Sequence, residues 1–494
     1  MRSLVTLVLL ASFLSSCLSE STPTCSLTDE ERKDPNLQEM TFDLGYGAEF
    51  FEAYMDPDIK TMSRGKHDTI INPKFNGHAA KFFNMSPQTV RYYWVNDKNE
   101  PNFMGTIKPF HSLGTASFPG HRFLLGPQDY EQSKVVLQHF TIDKDMGGPS
   151  NLYYYDPITI PGDEARTKQN LSILTLPEYE KYNKMVRNRK FAEEYKTITG
   201  RDYMTMYPRP KPVHFMWPAD HFEQVHWVTT RETHFKTLPD DSLLSPVRER
   251  YLDRVLEDDK PRLLAEYREP GEYLNMTLKV ASVRPRVYEI DDFLSEVEVD
   301  HIVHYARNAN LKESTVGQGG DSAKVKVRTS LNTWVGRETN QIFDTVYRRA
   351  ADLLKIDEAL FRVRDGTEFP DWPNKESIGE QLQLVHYNKH QEYTAHHDFG
   401  YSNVDDKLQP ARFATLLLYL NDPDEGGETE FPRWQNGFTG ETLLVKPKKG
   451  KAALFYSFLP DGNLDDFSQH AAKPVLKGEK YLINLWVRDP IKDF

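Results

Sequence analysis

The sequence predicts a multidomain protein of the α+β and all-β class: an N-terminal β-sandwich, a charged helical connector, and a C-terminal β core braced by helices. Three observations lead there. Short β-branched and aromatic runs broken by Gly, Pro and Asn turns fill two stretches of the chain. A charged, aromatic stretch separates them, and two apolar patterns of helical spacing lie in the second, before its main run of strands. With 494 residues, 38% of them hydrophobic and 12% aromatic, the chain has material for two to four packed domains.

Met1-Arg2-Ser3, the apolar run from Leu4 to Leu14 and the small residues after it read as a secretory signal peptide over 1–19. The run is too short to span a bilayer, and no later segment approaches the length needed, so no membrane span is expected. Leu14-Ser15-Ser16-Cys17 also fits a bacterial lipoprotein box. The sequons at Asn84, Asn170 and Asn275 favour a eukaryotic secretory glycoprotein instead. Cys17 would leave with the signal and Cys25 remain alone, so no internal disulfide is expected in an oxidising compartment. The endoplasmic reticulum lumen is the expected location, with secretion the alternative. The C-terminus Asp489-Pro490-Ile491-Lys492-Asp493-Phe494 is no retrieval signal, which leaves room for a second subunit to supply one. A net charge of -12 argues against a nucleic-acid binder and permits attraction of basic peptides.

Residues 30–155 alternate apolar strands with Asn, Pro and Gly turns, the pattern of a small β-sandwich. Residues 156–280 form the connector. Glu178-Tyr179-Glu180-Lys181-Tyr182 and the stretch from Arg248 to Leu264 suggest helices, with Pro208 to Pro212 an interruption. His214, His221, His226 and His234 lack a tight ligand spacing and read as structural histidines. In the third domain, 281–494, Ser295-Glu296-Val297-Glu298 has the form of a capping box, followed by Val299, Ile302, Val303 and Ala306 at helical spacing. Ile342, Phe343, Val346, Tyr347, Ala350, Leu353 and Leu354 mark a second helix. Residues 411–420 and 429–431, parted by Glu425-Gly426-Gly427-Glu428, are strands of a closed or sandwiched β architecture, where a site can sit inside.

The chemistry concentrates in that domain. A strand places residues i and i+2 on one face, so His396 and Asp398 can point together at a metal while His397 points away. With His470 they make a two-histidine, one-carboxylate set that leaves neighbouring positions open, as non-haem Fe(II) oxygenases require. Lys480 supplies a cation for the far carboxylate of a dicarboxylate co-substrate.

The surrounding motifs are Leu382-Gln383-Leu384-Val385-His386-Tyr387, Tyr393 to Phe399, Arg412 to Leu420, Gly426 to Pro432, Pro447 to Phe455, His470 to Lys480, and Trp486. Together they resemble the catalytic domain of prolyl 4-hydroxylases of the collagen and plant type, from near Pro285 to the C-terminus. The resemblance implies a double-stranded β-helix jelly roll and iron ligation by His396, Asp398 and His470. It also implies 2-oxoglutarate binding by Lys480 with hydroxyls of Tyr387 and Thr429, and Tyr393, Arg412 and Trp486 near the iron or the peptide. Fe(II), 2-oxoglutarate, O2 and ascorbate are the implied cofactors. The expected reaction converts peptidyl proline to 4-hydroxyproline as 2-oxoglutarate becomes succinate and CO2, on a proline-rich or collagen-like polypeptide. Lysine at 480 is similar to collagen-type enzymes, where lysyl and oxygen-sensing hydroxylases carry arginine; Lys473 departs from a common cysteine. The alternatives are a related hydroxylase of lysine or a small molecule, and a proline- or hydroxyproline-binding module without turnover.

A second resemblance covers about fifty residues of the N-terminal domain. Phe82 to Pro87, Tyr92 to Asn96, Ile107-Lys108-Pro109 and Ser117-Phe118-Pro119-Gly120-His121-Arg122-Phe123 are similar to the von Hippel-Lindau β domain. That likeness implies a hydroxyproline pocket at Ser117 and His121, with Phe103 and Phe123 standing where the family has polar-tipped aromatic walls.

Overall fold

The computed structural model describes residues 78–118, 120–142, 152–199, 203–204, 212–239, 267–269, 273–314, 329–364, 375–399, 411–435 and 441–489. The expected signal peptide, both cysteines and the stretch from Arg248 to Leu264 lie outside them.

Among the described residues the first seven strands are β1 (His78–Asn84), β2 (Val90–Val95), β3 (Pro101–Ile107), β4 (His111–Ser117), β5 (Arg122–Gly126), β6 (Gln138–Thr141) and β7 (Leu152–Tyr155). They form two sheets, ordered β4-β1-β7 and β3-β2-β5-β6. Phe82 is the centre of the apolar cluster they share. Its ring lies 5.8 Å from Tyr92, 5.0 Å from Phe123, 5.5 Å from Phe140 and 5.5 Å from Tyr153. Phe123 is therefore core rather than a pocket wall. Phe103 pairs with Tyr93 on the opposite face of its sheet and carries the Arg91 guanidinium 4.3 Å from its ring centroid.

One of the three sequons is corrected by this packing. The Asn84 amide is buried and donates to the carbonyls of Gln88 (2.7 Å), Ile107 (3.2 Å) and Lys108 (3.1 Å), which leaves no room for a sugar on its nitrogen. Asn170 is half-buried and donates to Ile158 O at 3.0 Å and Pro157 O at 3.3 Å. Asn275 is exposed on a strand, its side-chain oxygen accepting from Thr229.

Two helices follow, α1 (Glu164–Ser172), capped by the Asp163 carboxylate, and α2 (Leu176–Thr199). The buried side of α2 carries Tyr182, Met185, Phe191, Ala192 and Tyr195. The reading of 156–280 as a helical connector needs correction at 225–230 and 274–280, which are strands. Residues of this stretch form β8 (Val225–Thr230), which pairs with β9 (Leu274–Ser282), so the expected boundary at 280/281 cuts a strand of the following sheet. Val225, Trp227 and Thr229 face outward on the last strand of that sheet, and the apolar alternation that marks a strand is weak there. Three of the four histidines named from the sequence meet a backbone carbonyl: His214 that of Arg488, His221 that of Phe222, His226 that of Pro218.

The remaining strands are β10 (Val287–Ile290), β11 (Lys312–Glu313), β12 (Leu331–Val335), β13 (Leu382–Tyr387), β14 (Tyr393–His396), β15 (Ala411–Tyr419), β16 (Glu425–Gly426), β17 (Thr429–Gln435), β18 (Thr442–Val445), β19 (Ala452–Tyr456), β20 (His470–Ala472), β21 (Val475–Lys477) and β22 (Lys480–Asp489). The large sheet runs β11-β12-β13-β22-β15-β19-β10-β9-β8, and a smaller one runs β14-β20-β17-β18. Helices α3 (Glu296–Asn308) and α4 (Gln341–Leu354) brace the outer face of the large sheet. The α3 start is the capping box read from the sequence, with Ser295 and Glu298 each bonding the other's backbone N–H. Alternation sorts each central strand between two cores. Leu416, Leu418, Leu454, Ile483 and Leu485 meet the helices, while Leu417, Tyr419, Phe455 and Leu482 join Phe431 and Val445 of the small sheet. The gap between the two sheets of this jelly-roll domain is where polar side chains gather.

Candidate active site

The small sheet assembles the three expected ligands. β14 pairs antiparallel with β20 so that His396 stands opposite His470, a register that puts both imidazoles on one face. Their ring centroids are 4.4 Å apart. Asp398, two residues beyond His396, turns its carboxylate to both, with Oδ1 at 3.8 Å from His396 Nε2 and Oδ2 at 3.5 Å from His470 Nε2. One ligand atom from each residue fits within 4.8 Å of the others.

The backbone chooses which nitrogen each histidine offers. His396 Nδ1 lies 2.8 Å from Thr394 O, and His470 Nδ1 lies 3.0 Å from Ser468 O. A carbonyl only accepts, so each Nδ1 carries the proton and each Nε2 presents its lone pair to the centre. Burial and the Asp398 charge act oppositely on His470; burial prevails and keeps its pKa low, so the ring is neutral and able to ligate. Burial also pushes the Asp398 carboxyl upward, but His470, His396 and Arg412 outweigh it and hold the group well below the usual carboxylate range. Thr415 Oγ1 donates to Asp398 Oδ2 at 2.7 Å and fixes the carboxylate plane. His397 points away, as period two requires, with Nε2 2.9 Å from Asp466 O.

Lys480 lies at the other end of the gap. β22 turns Lys480, Leu482, Asn484 and Trp486 to one face, so Lys480 and Trp486 are about 20 Å apart along one strand. The Lys480 amine is buried without a hydrogen-bond partner, 5.5 Å from the Tyr387 ring centroid and 5.7 Å from that of Tyr419. Burial pushes its pKa down to about 7, against the weaker pull of Glu428. Tyr387 pairs with Lys480 across the strands, and Thr429 is tied through its hydroxyl to Tyr419 OH at 2.8 Å. A buried cation with nothing to bond is costly unless an anion comes to it. Lys480 with the Tyr387, Tyr419 and Thr429 hydroxyls fits the far carboxylate of 2-oxoglutarate, as the neutral Nε2 atoms and one carboxylate fit Fe(II).

Tyr393 and Arg412 also reach the site. Tyr393 stacks on His396 at 3.5 Å. Arg412 lies 3.7 Å over the Trp486 ring and makes two bonds to Glu380, of 2.7 Å from Nε and 2.8 Å from Nη2. Sequence reasoning missed Thr415, Tyr419, Glu380 and Trp334. Period two from Thr415 through Leu417 to Tyr419 held the signal for the first two. Glu380 and Trp334 carry no local signal: Trp334, 46% exposed, meets Trp486 at 5.8 Å only because β12, β13 and β22 are neighbours.

Jelly roll, triad and buried lysine define a ferrous-iron, 2-oxoglutarate-dependent oxygenase, and residues 382–488 match the family model described as the 2OG-Fe(II) oxygenase superfamily. Probable prolyl 4-hydroxylase 8 of Arabidopsis thaliana is 33% identical over 222 residues, spanning 42% of this chain and 70% of that protein. Prolyl 4-hydroxylase 5 of the same plant is 32% identical over 222 residues, spanning 42% and 70%. The chain belongs to the prolyl 4-hydroxylase family. A viral collagen prolyl hydroxylase from Paramecium Bursaria Chlorella virus-1, solved as a 2OG complex, is 27% identical, covering 41% of this chain and 95% of that one at a TM-score of 0.30.

Proposed function

We propose that the C-terminal domain hydroxylates prolyl residues at C4 in proline-rich or collagen-like polypeptides of the secretory pathway. The observation that carries the oxygenase reading is the convergence of His396 Nε2, His470 Nε2 and the Asp398 carboxylate, with the unpartnered Lys480 amine deeper in the same gap. When bound, Fe(II) and 2-oxoglutarate would activate O2, the oxidant: 2-oxoglutarate would give up two electrons and CO2 and take one oxygen atom as it becomes succinate, and the other atom would enter a C–H bond.

The chain's own residues bind and orient. Lys480 neutralises the distal carboxylate, and the buried hydroxyls around it replace the water that the anion loses. Leu417, Phe431 and Phe455 keep the gap dry between the lysine and the ligands. Trp334, Trp486 and the Arg412 guanidinium offer flat surfaces at the rim, the kind that grips an extended polyproline chain. Glu380 locks Arg412 in place, so the guanidinium meets substrate without first losing side-chain freedom. The names of the relatives support proline as the target residue.

Incubating the full chain with Fe(II), 2-oxoglutarate, ascorbate and poly-proline or collagen-like peptides, followed by mass spectrometry, tests this. One added oxygen on proline is expected. Succinate without peptide oxidation would refute the substrate, and neither product would refute the enzyme.

A second reading concerns the N-terminal domain, where we propose that hydroxylated product is held at Ser117 and His121. Ser117 Oγ lies 3.1 Å from His121 Nδ1, and the rings of Trp94 and Phe118 lie 5.7 Å and 5.3 Å from the imidazole, a polar pair walled by aromatics.

A further inference from the structure

We infer that Tyr195, on α2, is a positioning residue for the iron ligands, and that the N-terminal half is for this reason a working part of the catalytic unit. The inference rests on the iron assignment above. It concerns the segment 457–469, which leaves β19 and returns as β20 at His470.

That segment is a folded-back loop held at its base by Asp465 N–H to Ser457 O (2.8 Å) and Ser457 N–H to Phe413 O (2.8 Å). From the base, bonds run onward to the metal ligand: Ser468 Oγ donates to Asp465 O at 2.7 Å, and Ser468 O is the carbonyl 3.0 Å from His470 Nδ1. Asp466 in the same segment meets His397 Nε2 with its backbone oxygen and with Oδ1, at 2.9 and 3.2 Å, and pairs with Arg433. His397 sits between the other two ligands, so this one segment bears on both strands of the triad.

The tip of the loop is buried and polar. Asp461 and Asn463 are 4% and 1% exposed, where a loop tip ordinarily meets water. Tyr195, 266 residues earlier in the chain, reaches them both. Its hydroxyl donates to Asp461 Oδ2 at 2.6 Å and accepts from Asn463 Nδ2 at 3.3 Å. Met204 N–H donates to Asn463 Oδ1 at 2.9 Å, and Met204 O accepts from Lys81 Nζ of β1 at 3.1 Å. All five residues are buried. Bonds to a metal-binding histidine's second nitrogen set its ring orientation, and whatever holds their carbonyl in place shares that role. Tyr195 is the point at which the N-terminal half takes hold of that support.

The test uses the full chain and Co(II) as a spectroscopic stand-in for Fe(II). Tyr195→Phe removes the hydroxyl and keeps the ring in its cluster with Phe191 and Tyr203. Its Co(II) dissociation constant should rise about tenfold, with a changed visible spectrum and faster hydrogen exchange across 457–469 in the metal-free protein. Trp217→Phe is the control: it removes a buried 2.8 Å bond to Leu353 O, between the same half and α4, and should leave Co(II) affinity at the wild-type value. Lys81→Met, one step further from the loop, should weaken Co(II) binding less than Tyr195→Phe. It reports in place of Tyr195→Phe if that variant fails to fold. Wild-type affinity in both Tyr195→Phe and Lys81→Met, or an equal loss in Trp217→Phe, overturns the inference. Wild-type protein that binds no Co(II) overturns the iron assignment instead.

Discussion

Replacing Lys480 by methionine should make the ligand-free protein more stable while abolishing its use of 2-oxoglutarate. The amine is fully buried and its pKa is pushed down to about 7 from 10.5. Between those values the unfolded chain holds a proton that the folded chain lacks. Stability from this group therefore rises with pH from about 7 to 10.5 and is lowest below 7. At neutral pH the gap corresponds to a penalty of about 4 kcal/mol. Methionine matches the length of the stem, and a swap of similar volume costs under about 1.5 kcal/mol. The net gain is then about 2–3 kcal/mol, or roughly 5–10 °C in Tm for a domain of this size. Thermal unfolding without ligand, at pH 7 and again at pH 9.5, measures it: the advantage of Lys480→Met should shrink at the higher pH. Titration with 2-oxoglutarate reads the other half. A carboxylate favours the charged amine, so binding takes up a proton, and wild-type affinity should fall toward tenfold per unit as pH rises above 7. A methionine variant that unfolds earlier than wild type, or a wild-type affinity flat from pH 7 to 9, refutes the reasoning.

Four further outcomes are expected. Thr415→Val removes the hydroxyl that donates to Asp398 Oδ2 and should weaken Fe(II) or Co(II) binding about tenfold, measured by metal titration. Trp334→Ala should raise the KM for a proline-rich peptide several-fold and leave the KM for 2-oxoglutarate unchanged, since Trp334 touches the rim and not the lysine end. Chain secreted from eukaryotic cells should carry sugar at Asn275 and none at Asn84, read by peptide mapping after deglycosylation. Ser117→Ala with His121→Ala should abolish any preference of the full chain for hydroxyproline over proline peptides, read by calorimetry on paired peptides.

What was legible in the sequence follows from the range over which each contact is encoded. His396 and Asp398 are neighbours on one strand face, and the period of two that joins them is a local property of extended backbone. So are the capping box at Ser295 and Glu298 and the apolar stripe of α4. His470 lies more than seventy residues past His396, and only the antiparallel register of β14 with β20 brings the two rings together. Resemblance to a family conveyed that pairing; periodicity could not. The same limit hid Trp334 and Glu380.

Where no resemblance reached, reading by composition failed in a particular way. Between Asp156 and Val280 the charged residues read as a helical connector, yet β8 and β9 are strands of the large sheet. Their outer faces meet solvent, and an edge strand with one wet face keeps its polar residues on the side where water satisfies them. Tyr195 and Lys81 were invisible for the opposite reason. Nothing around a buried tyrosine on a helix or a buried lysine on a strand announces that its partner lies at Asp461, or at a backbone carbonyl such as that of Met204. Lys81 and Lys480 make the contrast plain, because both amines are wholly buried. One ends on a protein carbonyl and joins two parts of the chain; the other ends on nothing the protein supplies. A fold carries the second kind at a cost that a bound anion would offset, so Lys480 marks an anion site on physical grounds, independently of any relative.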